Sequence, residues 1–195
     1  MRLILASASA RRVELLAAAG LTFHQDAADT DERRMPGELP EAYVARVALA
    51  KAEEGHIRHP HDLVLGADTV VVVDADVLGK PASDIEAAEM LARLSGRSHD
   101  VLTGVAVAWT GGHRVIVVRT RVWFTVLSEA EINWYVRSGE PRDKAGAYAI
   151  QGLASRFVPR IDGSYSNVVG LPLAEVLQLL RETGLAAGHL DGAWA

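Results

Sequence analysis

The sequence predicts an α/β fold, with α+β as the neighbouring alternative, built on a mixed central sheet with flanking helices. Three observations carry this. Apolar runs of strand length alternate with stretches of helical periodicity. Residues 101–109 and 115–127 read as two long strands joined around Gly111-Gly112, a hairpin signal that a purely parallel sheet would not contain. Residues 63–73 (Leu-Val-Leu-Gly-Ala-Asp-Thr-Val-Val-Val-Val) are almost continuously apolar, as in a strand covered on both faces.

In chain order, residues 2–6 read as a buried strand. A helix over 9–19 follows, with Val13, Leu15, Leu16 and Ala19 near one face and Gly20 as its stop. Residues 22–27 are a second strand candidate. The polar stretch 29–38 contains Pro36 and Gly37 and reads as a loop. Pro40 opens a helix through about Glu54, with Tyr43, Val47 and Ala50 in helical register. After the 63–73 strand, a turn leads to a short strand at Val77-Leu78 and then to Gly79-Lys80-Pro81. Ser83 with Glu86 spells a capping box for a helix to about Leu94, ended by Ser95-Gly96. A second box, Ser128 with Glu131, starts a helix that stops near Gly139. Residues 148–151 and 157–161 are strand candidates. Pro172 opens a last helix, 173–182, stopped by Gly184, and the tail beyond is expected to be loose. No repeat or Pro-rich linker divides the chain, so residues 1–195 are expected to form one domain.

Composition narrows the function. A chain of 195 residues, 49% of them apolar, can build a substantial core. The net charge of −5 gives no global basic field for nucleic acid, so any anion site must be a local positive pocket. Without cysteine, neither disulfides nor thiolate metal sites can form. No signal-peptide core opens the chain, and no apolar run approaches the roughly 20 residues of a membrane helix. A cytoplasmic protein that binds neither nucleic acid nor membrane is expected.

The opening segment Ser7-Ala8-Ser9-Ala10-Arg11-Arg12 lies where a strand runs into a helix. Unpaired N–H groups there attract anions, and two hydroxyls with two guanidiniums would complete a phosphate cradle. The alternative is a serine helix cap followed by solvated arginines. Asp68 interrupts the buried 63–73 strand, where a carboxylate is costly unless it is paired or binds a cation. It is a candidate general base or metal ligand, against a carboxylate bonded to backbone amides. Gly66 leaves room for a ligand or for backbone to approach. Lys80, in its turn, is a candidate phosphate contact or a solvated lysine. Lys51 lies on or near the apolar stripe of its helix and is either a site residue or a snorkelling one.

Asp29, Asp31 and Glu32 make an oxygen-rich loop of the kind Mg²⁺ uses, or a solvated acidic loop that Arg33 and Arg34 neutralise. In Lys144-Ala-Gly-Ala-Tyr-Ala-Ile-Gln151-Gly152, small residues admit close approach. Gln151 there offers a donor and an acceptor that match the edge of uracil or thymine. His56, His59 and His61 match no standard zinc spacing and read as an exposed loop after a helix. There is no Walker loop, no Gly-x-Gly-x-x-Gly after a strand and no Gly-x-Ser-x-Gly elbow.

Taken in order, these segments resemble the Maf family of nucleoside triphosphate pyrophosphatases. The matching pieces are Leu-Ala-Ser-Ala-Ser-Ala-Arg-Arg at 5–12, Thr-Asp-Glu at 30–32, Ala-Leu-Ala-Lys-Ala at 48–52, Gly-Ala-Asp-Thr-Val-Val at 66–71, Leu-Gly-Lys-Pro at 78–81, Lys-Ala-Gly-Ala-Tyr-Ala-Ile-Gln-Gly at 144–152 and Val-Val-Gly-Leu-Pro at 168–172. The resemblance implies an α/β structure with a deep cleft between two lobes, similar to inosine triphosphate pyrophosphatases. It implies hydrolysis of a nucleoside triphosphate to monophosphate and pyrophosphate with a divalent cation, Mg²⁺ or Mn²⁺. Family members are also linked to inhibition of septum formation, so a nucleotide-binding regulator is the alternative class. A homodimer is compatible with the resemblance.

Carried over by residue, Asp68 is the acid–base residue and, with Glu32, holds the metal or its water. Ser7, Arg12, Lys51 and Lys80 line the phosphate site. Within the family, Arg11, Thr69 and Gln151 match the dTTP/UTP group. The 7-methyl-GTP group carries tryptophan before the last arginines and Ser-Glu-Gly where Gln151 stands. A purine-directed pyrophosphatase is therefore the alternative within enzymes. Ala10 departs from the family's proline, which would pre-set the first helical turn. The expected effect is a looser loop with every ligand group retained.

Overall fold

A computed structural model describes residues 1–183 of the chain, so Gly184 as a helix stop and the tail beyond it lie outside the described residues. The described residues form a seven-stranded mixed sheet with six α-helices, the α/β class expected. The elements are β1 (Leu3–Leu5), α1 (Ala10–Ala18), β2 (His24–Gln25), α2 (Pro40–Arg58), β3 (Leu63–Val73), β4 (Asp76–Leu78), α3 (Asp84–Leu94), β5 (Ser98–Trp109), β6 (Gly112–Trp123), α4 (Glu129–Arg137), β7 (Arg160–Asp162), α5 (Tyr165–Val169) and α6 (Leu173–Glu182). Strand order is β2-β1-β3-β5-β6-β7, with β4 paired to β3. β1 runs parallel to β2 and to β3, with Ile4 opposite Val64, whereas β4 and β7 pair antiparallel to β3 and β6.

Two compact units emerge from the contacts. The first takes Met1–Asp68, Thr103–Val118 and the described residues from Gly170 onward; the second takes Thr69–Leu102 and Arg119–Val169. In the first unit, Leu63, Leu65 and Ala67 of β3 join Leu3, Leu5, Val105 and Val107 in a core with Leu16 of α1 and Val176, Leu179 and Leu180 of α6. The other face belongs to α2, whose buried stripe is Val44, Val47, Ala48, Lys51, Ala52 and Gly55, the i, i+3, i+4 spacing of one helical face. Two glycines seat this helix. A Cβ on Gly66 would lie 2.3 Å from the Ala48 carbonyl oxygen, and one on Gly104 would lie 2.1 Å from that of Val44. The close approach expected at Gly66 is therefore that of the α2 backbone.

The second unit packs α3 against α4 and the Ala145–Ala147 turn. Its centre is aromatic: Phe124 meets Tyr148 edge-on with centroids 4.9 Å apart, and Tyr135 meets Phe157 at 5.5 Å. His99 joins this group.

Several boundaries differ from the sequence expectation. α2 runs to Arg58 rather than Glu54, so His56 lies inside it and His59 caps it, not in a free loop. Residues 148–151 form no strand, because the segment turns at Ile150–Gly152; Leu153–Phe157 is a short 3₁₀ helix, and the strand expected at 157–161 shrinks to β7. The second hairpin strand starts at Gly112 and ends at Trp123. The Ser128 capping box is complete, whereas Glu86 reaches back to the N–H of Ala82 instead of Ser83. No helix of the described residues is long and apolar enough to cross a membrane.

Candidate active site

Strand alternation decides where Asp68 points. Leu63, Leu65 and Ala67 face α1 and α6, so Val64, Gly66 and Asp68 face α2. Seated by Gly66, α2 brings Lys51 to that face. The Lys51 ammonium donates to Asp68 Oδ1 at 2.9 Å and lies 2.8 Å from Glu32 Oε1. Lys51 and Asp68 are both buried, and the Lys51 side chain keeps only 8% exposure, so it does not run out to solvent. A carboxylate buried alone would be costly; the paired ammonium offsets that cost.

Glu32 reaches the site from the loop between β2 and α2 and remains half exposed. Its backbone is held by Tyr43 of α2, whose hydroxyl donates to the Glu32 carbonyl at 2.7 Å. Burial and the nearby Asp68 and Glu32 charges push the Tyr43 phenol up to about 12, so it stays a donor. Tyr43 looked only like a helix-core residue in sequence, and the signal for its role is its place one turn into the helix after Thr-Asp-Glu. The acidic loop does not act as a group. Asp31 turns to Arg33, which holds its carboxyl far below the usual range, and the N–H of Asp29 bonds Glu54. Of these three loop carboxylates, only Glu32 joins Lys51.

The opening segment is neither the expected cap nor a bare cradle. Ser9 takes the N-cap position of α1, but its side chain makes no cap bond, and Ala10 starts the helix. The Ser7 hydroxyl is buried and accepts from Arg12 Nη1 at 3.0 Å and from the Ser9 N–H at 3.3 Å. Arg12 is buried too, and its Nε donates to the carbonyl of Gly170 at 2.9 Å. Gly170 has φ +133°, a conformation suited to glycine, and it explains a glycine within Val-Val-Gly-Leu-Pro. Burial lowers the affinity of Arg12 for its proton; Asp68 and Glu32 oppose this, and neighbouring Arg11 adds to it. Ser7, Arg12, Glu32, Lys51 and Asp68 therefore share one electrostatic neighbourhood in the first unit. Arg11 is half buried beside it.

The other expected residues belong to the second unit. Thr69 follows Asp68 in β3 and is partly buried. Lys80 is exposed in the loop after β4. The N–H of Gly146 donates to the carbonyl of Gly79 at 3.0 Å, so this unit joins the Gly79-Lys80 and Lys144–Ala147 motifs by backbone. A Cβ on Gly146 would lie 2.7 Å from Val71, which explains the glycine there. Gln151 is exposed in its turn and lines a surface pocket of about 440 Å³ with Ser155, Pro159, Arg160 and Tyr165. In the histidine cluster, His59 bonds Asp26 at 2.7 Å. Among the described residues no three His, Asp or Glu side chains are grouped to hold a metal.

Comparison with known proteins gives the family. The family model described as Maf-like protein matches residues 2–183. The chain is 56% identical over 184 residues to a dTTP/UTP pyrophosphatase of Myxococcus xanthus (strain DK1622), covering 94% of this chain and 93% of that protein. It is 51% identical over 195 residues to a dTTP/UTP pyrophosphatase of Shewanella oneidensis, covering 95% of this chain and all of that protein. A dTTP/UTP pyrophosphatase of Symbiobacterium thermophilum is 51% identical over 183 residues, 94% of each chain. With a family match across nearly all its length and half-identical relatives aligned over nearly all of theirs, the chain belongs to the Maf-like proteins.

Proposed function

We propose that this chain hydrolyses dTTP and UTP to the nucleoside monophosphate and pyrophosphate, acting in the cytoplasm on free nucleotides. The observation that carries the reading is Lys51, buried and joined to both Asp68 and Glu32, with the Arg12–Ser7 pair in the same charge neighbourhood. The names of its half-identical relatives support the substrate class.

The donor set fits a divalent cation, Mg²⁺ or Mn²⁺. Asp68 and Glu32 offer hard carboxylate oxygens converging on one ammonium, and such ions take one or two carboxylates together with substrate phosphates. Bound there, the ion would supply Lewis-acid polarisation of phosphoryl oxygens. The remaining chemistry belongs to the chain. Asp68 takes a proton from the attacking water as its oxygen bonds the α-phosphorus. The bond from the α-phosphorus to the bridging oxygen breaks, and pyrophosphate leaves with that electron pair. Lys51 and Arg12 stabilise the charge that builds on the leaving group, and Lys80 takes the same part by its motif. Ser7 orients Arg12 and offers its hydroxyl to a phosphate oxygen. Gln151 reads the pyrimidine edge, with Arg11 and Thr69 contributing to selection.

The test is pyrophosphate release from dTTP, UTP, 7-methyl-GTP and ITP with Mg²⁺. Release from dTTP and UTP is expected. Release from a purine nucleotide alone would overturn the substrate assignment, and tight binding without release from any would leave a nucleotide sensor.

A further inference from the structure

We propose that Glu140 and Tyr135 are a positioning pair for Gln151, holding the turn that carries its amide and thereby setting pyrimidine selection. The inference rests on Gln151 as the base-reading residue. Tyr135 comes from the buried face of α4 and is fully buried. Its hydroxyl donates to Glu140 Oε1 at 2.7 Å and accepts from the N–H of Ala149 at 3.1 Å. Glu140 Oε2 accepts from the N–H of Leu153 at 2.9 Å, and Oε1 from that of Ala154 at 3.3 Å. The pair thus grips the backbone two residues before Gln151 and two and three residues after it.

Gln151 needs such a grip. Its side chain is exposed, its segment has no strand or helix of its own, and its amide makes no hydrogen bond to the described residues. Base recognition by one amide requires its donor and acceptor to be held within about 0.5 Å. Gly152 shows how tightly the carboxylate fits: a Cβ there would lie 2.2 Å from Glu140 Oε2. That close fit is a local reason for glycine in Ile-Gln-Gly.

The chemistry of the grip calls for a carboxylate. Three donors converge on Glu140, and an ionised carboxylate accepts on both oxygens, whereas an amide would turn its NH₂ toward one of them. Burial first, and the Glu140 bond second, push the Tyr135 phenol well above its usual range, so it remains a donor at any working pH. Glu140 itself is placed by Gly139, at φ +76°, and its N–H bonds Ser138 Oγ at 3.2 Å.

The experiment measures kcat and KM for dTTP and ITP with Glu140→Gln, alone and combined with Gln151→Ala. Glu140→Gln is expected to lower the dTTP-to-ITP ratio of kcat/KM about tenfold, mainly through KM for dTTP, and to change nothing further once Gln151 is removed. Gly152→Ala should reproduce the single-variant effect by pushing the carboxylate away. Tyr135→Phe, which keeps the ring, serves as the second variant should Glu140→Gln not fold. Equal losses on both substrates in both backgrounds would overturn the inference, as would an unchanged ratio where Gln151→Ala alone lowers it. A ratio unmoved by Gln151→Ala would remove the assignment of Gln151 itself, and the inference with it.

Discussion

The two units of the molecule bury polar groups in opposite ways. The first buries charged groups with hydrogen-bond partners: Lys51 against the Asp68 carboxylate, and Arg12 against a serine hydroxyl and a backbone carbonyl. The second buries neutral hydrogen bonders, His99 on Tyr148 and the Tyr135 phenol, and leaves Lys80 and Gln151 exposed. Burial strengthens electrostatics by lowering the local dielectric, so the first unit suits charge developing in a reaction. Exposed groups on turns tune recognition and depend on how the turn is held.

The contrast breaks or sharpens under three perturbations. The largest effect is expected for Asp68→Asn, which keeps the shape and removes the base. Steady-state pyrophosphate release should fall on the order of 10²- to 10⁴-fold. A variant that keeps full activity would remove the catalytic role from Asp68. Next, Lys51→Met leaves the Asp68 carboxylate buried without its ammonium, and urea unfolding should show a loss of about 3–5 kcal/mol. The exposed Lys80→Met should stay within about 0.5 kcal/mol of the parent. Equal effects would erase the distinction between the units.

The third concerns the neutral group. Burial lowers His99 from 6.5 to about 4, with Asp100 opposing weakly and Tyr148 as its hydrogen-bond partner. Above the unfolded value both states are neutral and nothing is lost. As pH falls from about 6.5 to about 4, the unfolded chain takes a proton that the folded chain refuses. Stability should therefore drop over that window by on the order of 3 kcal/mol. His99→Gln should flatten this part of a pH series of unfolding free energies. Asp62 and Glu38, lowered from 3.8 and 4.5 to about 2 by arginines, lose their contribution as pH falls below those starting values, so most of the His99 window lies above theirs.

Long, strongly patterned elements were legible in sequence. The apolar run of β3 and the Ser128 capping box form as read, because period and local hydrogen bonding act within a few residues, whereas of Tyr43, Val47 and Ala50 only Val47 lies on the buried stripe of α2. Segment 148–151 was not. It reads as a strand, but Tyr135 takes the Ala149 N–H, and Glu140 takes those of Leu153 and Ala154 just beyond it, where a neighbouring strand would otherwise pair. Likewise Asp29, Asp31 and Glu32 look equivalent in sequence, and only Glu32 has a buried ammonium within reach.

The sequence by itself determined that Asp68 would interrupt a buried strand and that Lys51 would fall on the buried stripe of a helix, since both follow from the periods of 2 and 3.6. Only the tertiary structure decided that these two meet. Gly66 and Gly104 remove the side chains that would hold α2 away from the sheet, and contact between two packed surfaces depends on shape at the point of approach.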